Sequence, residues 1–417
     1  MNTLPLSLVV VELQRSYFKS KYGETFMNQK LFVFAIAATL IAPMAANADV
    51  KLSGTIQGEI TSSEVGDPDS DQDRETLTKD KEGAIFNSGD NKLTFDIDEK
   101  LGGGLAAYAR YQGTFNTSDN EGFGGKEAFV GIKTSNFFIR YGKLTGAYKS
   151  SKGLADPWAS TSLQARGSGG GMSGSKYNQV TWDAANETFK TTAAASTNDS
   201  GKGLSNSGYV EGALEAGMKM AGFTGRIQGV VDDRSDMDGA GLLELLYSAP
   251  NDTFTMWLSG AYTDLDLKDT VSDAVDSATG DDKKDNTDDG LGNWKIGGQF
   301  KLGPALTLGL QYEDAELGAL DDNPDGGKYI LGSVDFTMNN FSLAAWVAGY
   351  LSDIEDSARL RNPINGELLD EDALSWALGG KYLFSKRTSV YAGYRQTDSD
   401  NDYRDEDVFA LGLMHKF

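Results

Sequence analysis

Cysteine and histidine, the residues most often used for thiolate and imidazole chemistry, are almost missing from this chain. Among its 417 residues there is no cysteine and a single histidine, His415. Without cysteine there is no disulfide framework, no thiolate nucleophile, no iron–sulfur cluster and no cysteine zinc site. One histidine, three residues from the C-terminal side of the sequence, gives no basis for a Ser–His–Asp apparatus or a multi-histidine metal site. The spacing Asp67-x-Asp69-x-Asp71 resembles the opening of a calcium loop but lacks the glycine and the closing glutamate such a loop needs. A solvated acidic loop is the expectation there, with no metal and no cofactor. The net charge of −23 also argues against nucleic acid, whose phosphates require clustered positive charge. The chemistry left is that of fixed charges. Lys51, Arg110, Lys133, Arg140 and Arg226 each stand beside an apolar residue in an alternating segment, so each is set on a polar face.

The segments that position those cations repeat with period two, which is the mark of strands with unlike faces. In Val50 to Ile60 the even positions are apolar or glycine and the odd ones mostly polar. Leu93, Phe95 and Ile97 oppose Thr94, Asp96 and Asp98, and Ala107, Ala109 and Tyr111 oppose Tyr108, Arg110 and Gln112. A soluble β-sandwich alternates in the same way, so connection lengths must decide. Short turns such as Gly102-Gly103-Gly104, Ser135-Asn136, Ala221-Gly222 and Asn339-Asn340 alternate with long polar connections such as Glu64 to Gly89, Thr145 to Lys176 and Leu265 to Gly290. Segments of about ten residues between ends of such different length are the pattern of a transmembrane antiparallel β-barrel, with short periplasmic turns and long extracellular loops. Direct counting gives 18 strands, from 50–62 to 405–417. The pair 177–184 and 188–197 alternates poorly, and losing it gives 16. Phe95, Tyr111, Phe137, Tyr141, Phe223, Tyr262, Tyr312, Phe341, Tyr382 and Tyr394 are placed to form aromatic girdles at the two membrane interfaces.

Mean hydropathy is −0.38, and glycine is 50 of 417 residues, against about 7% in an average protein. The one apolar run belongs to the front of the chain. From Met27, a basic residue (Lys30), an apolar stretch (Leu31 to Ala42), a breaking Pro43 and the small residues Ala46-Asn47-Ala48 make a three-part secretory signal, too short for a spanning helix. Cleavage is expected before Asp49. Residues 1–26 are then an upstream extension, 27–48 the signal peptide and 49–417 the barrel.

The last strand closes on Phe409-Ala410-Leu411-Gly412-Leu413-Met414-His415-Lys416-Phe417. This ending, the start Asp49-Val50-Lys51-Leu52-Ser53-Gly54 and the turn Ser385-Lys386-Arg387-Thr388 resemble the general diffusion porins of beta- and gammaproteobacterial outer membranes. The resemblance implies an all-β barrel of 16 strands, a homotrimer, and a C-terminal Phe417 read by the barrel-assembly machinery. It further implies outer-membrane lipid and lipopolysaccharide as surroundings. It also implies that the third long loop, 145–176, folds into the lumen and narrows it. Acidic loop residues would face basic wall residues there. Asp156 is the loop's one carboxylate, with Lys149, Lys152 and Arg166 as its cations, and Lys51, Arg110, Lys133, Arg140 and Arg226 supply the wall. The function implied is passive diffusion of ions and small hydrophilic solutes, not catalysis. A solute-dedicated channel, for example one for sugars, is the alternative, and would use inward aromatics such as Tyr108, Phe129, Phe138, Trp257, Trp346 and Tyr391.

Overall fold

A strand apolar on one face and polar on the other must put the two faces in different surroundings, and the chain does so by joining such strands into a ring. The computed structural model describes residues 48–65, 84–87, 91–117, 124–151, 153–165, 180–183, 188–191, 209–231, 241–263, 291–316, 326–352, 372–399 and 406–417. The expected signal and upstream extension, the motif at Asp67 and the aspartate-rich stretch 265–290 lie outside them.

In chain order the first strands are β1 (Ala48–Val65), β2 (Ala84–Asn87), β3 (Lys92–Gly102), β4 (Leu105–Thr114), β5 (Gly124–Lys133) and β6 (Phe137–Thr145). A helical turn, α1 (Ala147–Ser150), and the short strands β7 (Val180–Asp183) and β8 (Thr188–Thr191) follow. The wall resumes with β9 (Tyr209–Met220), β10 (Phe223–Val230), β11 (Gly241–Ser248), β12 (Phe254–Thr263), β13 (Leu291–Leu302) and β14 (Leu306–Glu316). It ends with β15 (Gly326–Met338), β16 (Phe341–Ser352), β17 (Ala373–Leu383), β18 (Thr388–Ser399) and β19 (Glu406–Lys416). Every wall strand pairs antiparallel with its neighbours, and β1 pairs with both β3 and β19, which closes the ring. At the seam the Gly54 N–H donates to the Phe417 carbonyl at 3.1 Å and the Phe417 N–H returns the bond at 3.2 Å. The Phe417 ring lies over Gly54, where a Cβ would come within 2.5 Å of it.

Sixteen strands make the wall, not the 18 of the direct count. β6 pairs directly with β9, from Phe137↔Met218 to Thr145↔Tyr209, which leaves no gap for the extra hairpin. β7 and β8 pair only with each other. At four residues each they are less than half the 9–11 residues a tilted spanning strand needs. The short β2 pairs with the later part of β1, where β3 has not yet begun.

The two faces divide as the alternation requires. On β17, Leu374, Trp376 and Leu378 are exposed outside while Ala373, Ser375 and Ala377 are buried inside. Exposed outward aromatics gather near both rims: Phe137, Phe223, Phe341 and Tyr382 at the short-turn end, Phe95, Tyr111, Tyr141 and Tyr262 toward the other. An apolar band of this extent on a soluble protein would drive association; on a barrel it faces lipid. The densest packing is inside, where Trp158 and Leu163 meet the inner wall at Trp346 and Tyr391.

A register shift between Gly142 and Leu144 marks where β6 gives way to that inserted segment. Gly142 has φ +143, and a Cβ there would lie 2.1 Å from the Ala128 carbonyl oxygen. Bulges bend the strand that carries them, and this one precedes the departure of the chain from the wall. Gly142→Ala is therefore expected to strain the β5–β6 pairing by on the order of 1–3 kcal/mol. A lower temperature for the folded-to-unfolded band shift in denaturing gels checks this, and an unchanged transition contradicts it.

Candidate functional site

From Gly146 the chain crosses the lumen and is clipped to the inner wall strand by strand. The Ala147 N–H donates to Gln228 Oε1 at 2.7 Å, and Gln228 Nε2 donates to the Thr145 carbonyl at 2.8 Å. Tyr148 donates its phenol to Glu313 at 3.1 Å, and Ser150 donates to Glu244. Gln299 holds the Leu154 carbonyl at 2.7 Å, and Ser333 holds that of Ala155. Lys381 donates to the Pro157 carbonyl, and Trp158 Nε1 reaches the Ala344 carbonyl at 3.1 Å. On β1, Gln57 donates to the Ser160 carbonyl at 3.0 Å, and Glu59 accepts from the Ser162 N–H at 3.1 Å. Trp346 and Tyr329 donate to the carbonyls of Leu163 and Ala165 at 2.8 and 3.0 Å. Among the described residues none of these bonds reaches β3 or β4, so that side of the wall stays open to the lumen. Burial, and after it the charge and hydrogen bond of Glu313, push the Tyr148 phenol well above its ordinary pKa of 10.0, so it remains a donor at physiological pH.

From the open side round to β11 the inner wall carries a ladder of charges. Arg110 on β4 bonds Asp96 on β3 at 2.7 Å and Glu127 on β5 at 3.3 Å. Arg140 on β6 bonds Glu215 on β9 at 2.7 Å. Arg226 on β10 bonds the same Glu215 at 3.1 Å and Glu244 on β11 at 2.6 Å. Signs alternate from strand to strand, so each arginine neutralises a carboxylate that burial would otherwise penalise. Glu215 is completely buried and is held by two arginines and by Gln228.

A model of the Gram-negative porin family matches residues 33–402. The chain belongs to the Gram-negative porin family. Among curated relatives, the major outer membrane protein P.IB of Neisseria gonorrhoeae is 34% identical over 128 residues, 30% of this chain and 35% of that one. The corresponding protein of Neisseria sicca is 31% identical over 136 residues, 31% of this chain and 36% of that one. These matches thus span about a third of the relatives' length. Among solved structures, the anion-selective porin from Comamonas acidovorans covers 89% of this chain and 100% of its own, with TM-score 0.59 and 14% identity. OmpT of Vibrio cholerae covers 90% and 99%, with TM-score 0.55 and 14% identity. At that identity the likeness is one of fold. Family and apolar girdle together place this porin-family barrel in the outer membrane.

The structure brings together some of the residues singled out from sequence and not others. Arg140 and Arg226 meet through Glu215, and Arg110 and Lys133 sit beside them, Lys133 bonded to Asp98. Arg140 also lies over the Phe129 ring at 4.6 Å, while Lys51 stands exposed opposite Asp96. Lys149 lies over the Tyr209 ring at 4.7 Å. Asp156 is buried, and its carboxylate accepts from the N–H groups of Trp158 at 2.8 Å and Ala165 at 2.9 Å. It folds the inserted segment on itself. Arg166 and Lys152 are outside the described residues. The sequence reading passed over the glutamates that hold the lumen together: Glu59, Glu127, Glu215, Glu244 and Glu313. Their inward parity was the available signal, as in Gln57-x-Glu59-x-Thr61.

The abundance of glycine also has a local use here. Inward Gly309, Gly379 and Gly393 floor the segment's seat. A Cβ on Gly309 would lie 2.8 Å from Ala155 Cα, one on Gly379 2.7 Å from the Trp158 ring, and one on Gly393 2.5 Å from Leu163. At Gly309 the close atoms are the segment's own backbone and the Ser333 hydroxyl, so a methyl group there displaces the segment. Overpacking of this kind costs about 1–3 kcal/mol. Gly309→Ala is expected to raise single-channel conductance while leaving the barrel heat-resistant in gels; unchanged conductance would show that the segment does not limit the pore.

Proposed function

We propose that this chain forms a water-filled outer-membrane channel through which ions and small hydrophilic solutes diffuse passively. The observation that carries the reading is the open side of the lumen, where charged side chains of β3 to β6 line a ring too wide for side chains to fill. Asp156, Lys149 and Arg166 on the inserted segment, with Lys51, Arg110, Lys133, Arg140 and Arg226 on the wall, are the proposed boundary of its narrowest part. Because the arginines are matched by carboxylates, their fields largely cancel and selectivity between small ions is weak. No catalytic step is assigned to it. A homotrimer embedded in lipid and lipopolysaccharide, delivered by the barrel-assembly machinery through Phe417, completes the proposal. A Vibrio cholerae neighbour described in its trimer form supports the assembly.

The sugar-dedicated alternative draws less support. Of the inward aromatics it would use, Phe129, Trp257, Trp346 and Tyr391 are buried in packing, leaving only Tyr108 and Phe138 half-exposed.

In planar bilayers the purified protein should give large ohmic steps, grouped in threes, that sugars do not saturably block. Absence of conductance would sink the channel; saturable block would favour the dedicated one. Replacing Arg110 and Arg140 together by glutamine leaves Asp96, Glu127 and Glu215 short of cations, so the reversal potential in a salt gradient should move toward cation preference. An unchanged value would remove both arginines from the ion path.

A further inference from the structure

The cations of the lumen are not all treated alike. In mid-barrel every arginine named above has a carboxylate partner. At the short-turn mouth the pattern is different. Lys51, Lys100, Lys219, Lys301 and Lys416 occupy the inward parity of β1, β3, β9, β13 and β19, opposite Asp96, Ala106, Thr224, Thr307 and Thr55. All five are exposed, and none makes an ion pair among the described residues. Lys133 and Lys381 stand at the same level, the first on Asp98 and the second on the Pro157 carbonyl. The inward acids there are few. Asp96 is held by Arg110 and Asp98 by Lys133, while Asp49 and Asp335, the latter hydrogen-bonded by the Thr337 and Ser342 hydroxyls, keep their charge. A chain of net charge −23 thus ends its lumen in a collar of surplus positive charge, densest on the arc from β17 through β1 to β9.

We propose that this lysine collar is a docking site for small multivalent anions, in particular di- and tricarboxylates, that enter from the short-turn side. The inference rests on the channel reading. Strands are about 4.8 Å apart, and Lys416, Lys51 and Lys100 stand on three neighbouring strands, β19, β1 and β3. Their flexible arms converge on an anion with two or three carboxylates. A single exposed lysine holds a monovalent ion weakly; several acting together in a confined mouth focus the field on a multivalent one. Sidedness follows from the collar's place at the short-turn mouth.

The test is citrate added to one chamber of a bilayer holding single channels in 0.1 M KCl. Because the chain has no cysteine, Asn340→Cys in the β15–β16 turn marks the short-turn face for an impermeant thiol reagent. Citrate on that face is expected to interrupt the current, its uncharged trimethyl ester is not, and block should fade in 1 M KCl, where the screening length falls to about 3 Å. The triple variant Lys51→Gln, Lys219→Gln, Lys416→Gln should raise the half-blocking concentration about tenfold, while the corresponding arginine triple keeps the block. Equal block from both faces, or block that survives the glutamine triple, overturns the collar. Normal potassium chloride conductance without any citrate effect overturns the collar and spares the channel. No conductance at all overturns both.

Discussion

In hydrocarbon every backbone N–H and C=O must find its partner within the protein, and a strand can meet that demand only with a neighbour on each side. The antiparallel pairing of β1 with β19 is therefore the interaction on which everything else depends. It removes the two free edges that a sheet of this size would otherwise present to lipid. Placing Phe417 over Gly54 secures the seam with the last residue of the sequence. Once the ring is closed at sixteen strands its radius is set, and that radius leaves a lumen that side chains cannot fill.

An unfilled lumen changes the rules for the inner face. Polar side chains there need no packed partner so long as water reaches them, and the wall of β3 and β4 is of that kind. Where the inserted segment covers the wall, water is displaced and each polar group must be met by protein. Glu59, Glu244 and Glu313 meet donors from the segment, and Gln57, Lys381 and Trp346 meet its carbonyls. The segment thus takes its course from the wall's hydrogen-bonding pattern, and glycines give it room to lie close.

The ladder of Asp96, Arg110, Glu127, Arg140, Glu215, Arg226 and Glu244 shows how much of the site alternation could reveal. The inward facing of Arg110 and Arg140 follows from the apolar residues beside them. Their partners do not follow, because a partner lies across a strand pair whose register no single strand records. Asp156 shows the same limit within the inserted segment. Its type and place suggest a charge opposed to the wall; that its carboxylate also caps two backbone N–H groups of its own loop is decided by the loop's fold. The count of 18 strands failed for a different reason. Strand propensity around Val180 and Thr188 is local, whereas membership of the wall depends on whether β6 and β9 already pair.

By itself the sequence determined the two faces of each strand, the order of short and long connections, the all-β barrel and the absence of cysteine beside a single histidine. These are properties of residue type and of spacing along the chain, and period-two alternation expresses them directly. Tertiary structure alone decided the sixteen-strand closure, the seat of the inserted segment, the partner of every buried charge and the surplus of lysine at one mouth. Each of those depends on which residues lie opposite one another across a register or across the lumen. Such distances arise only when the ring closes.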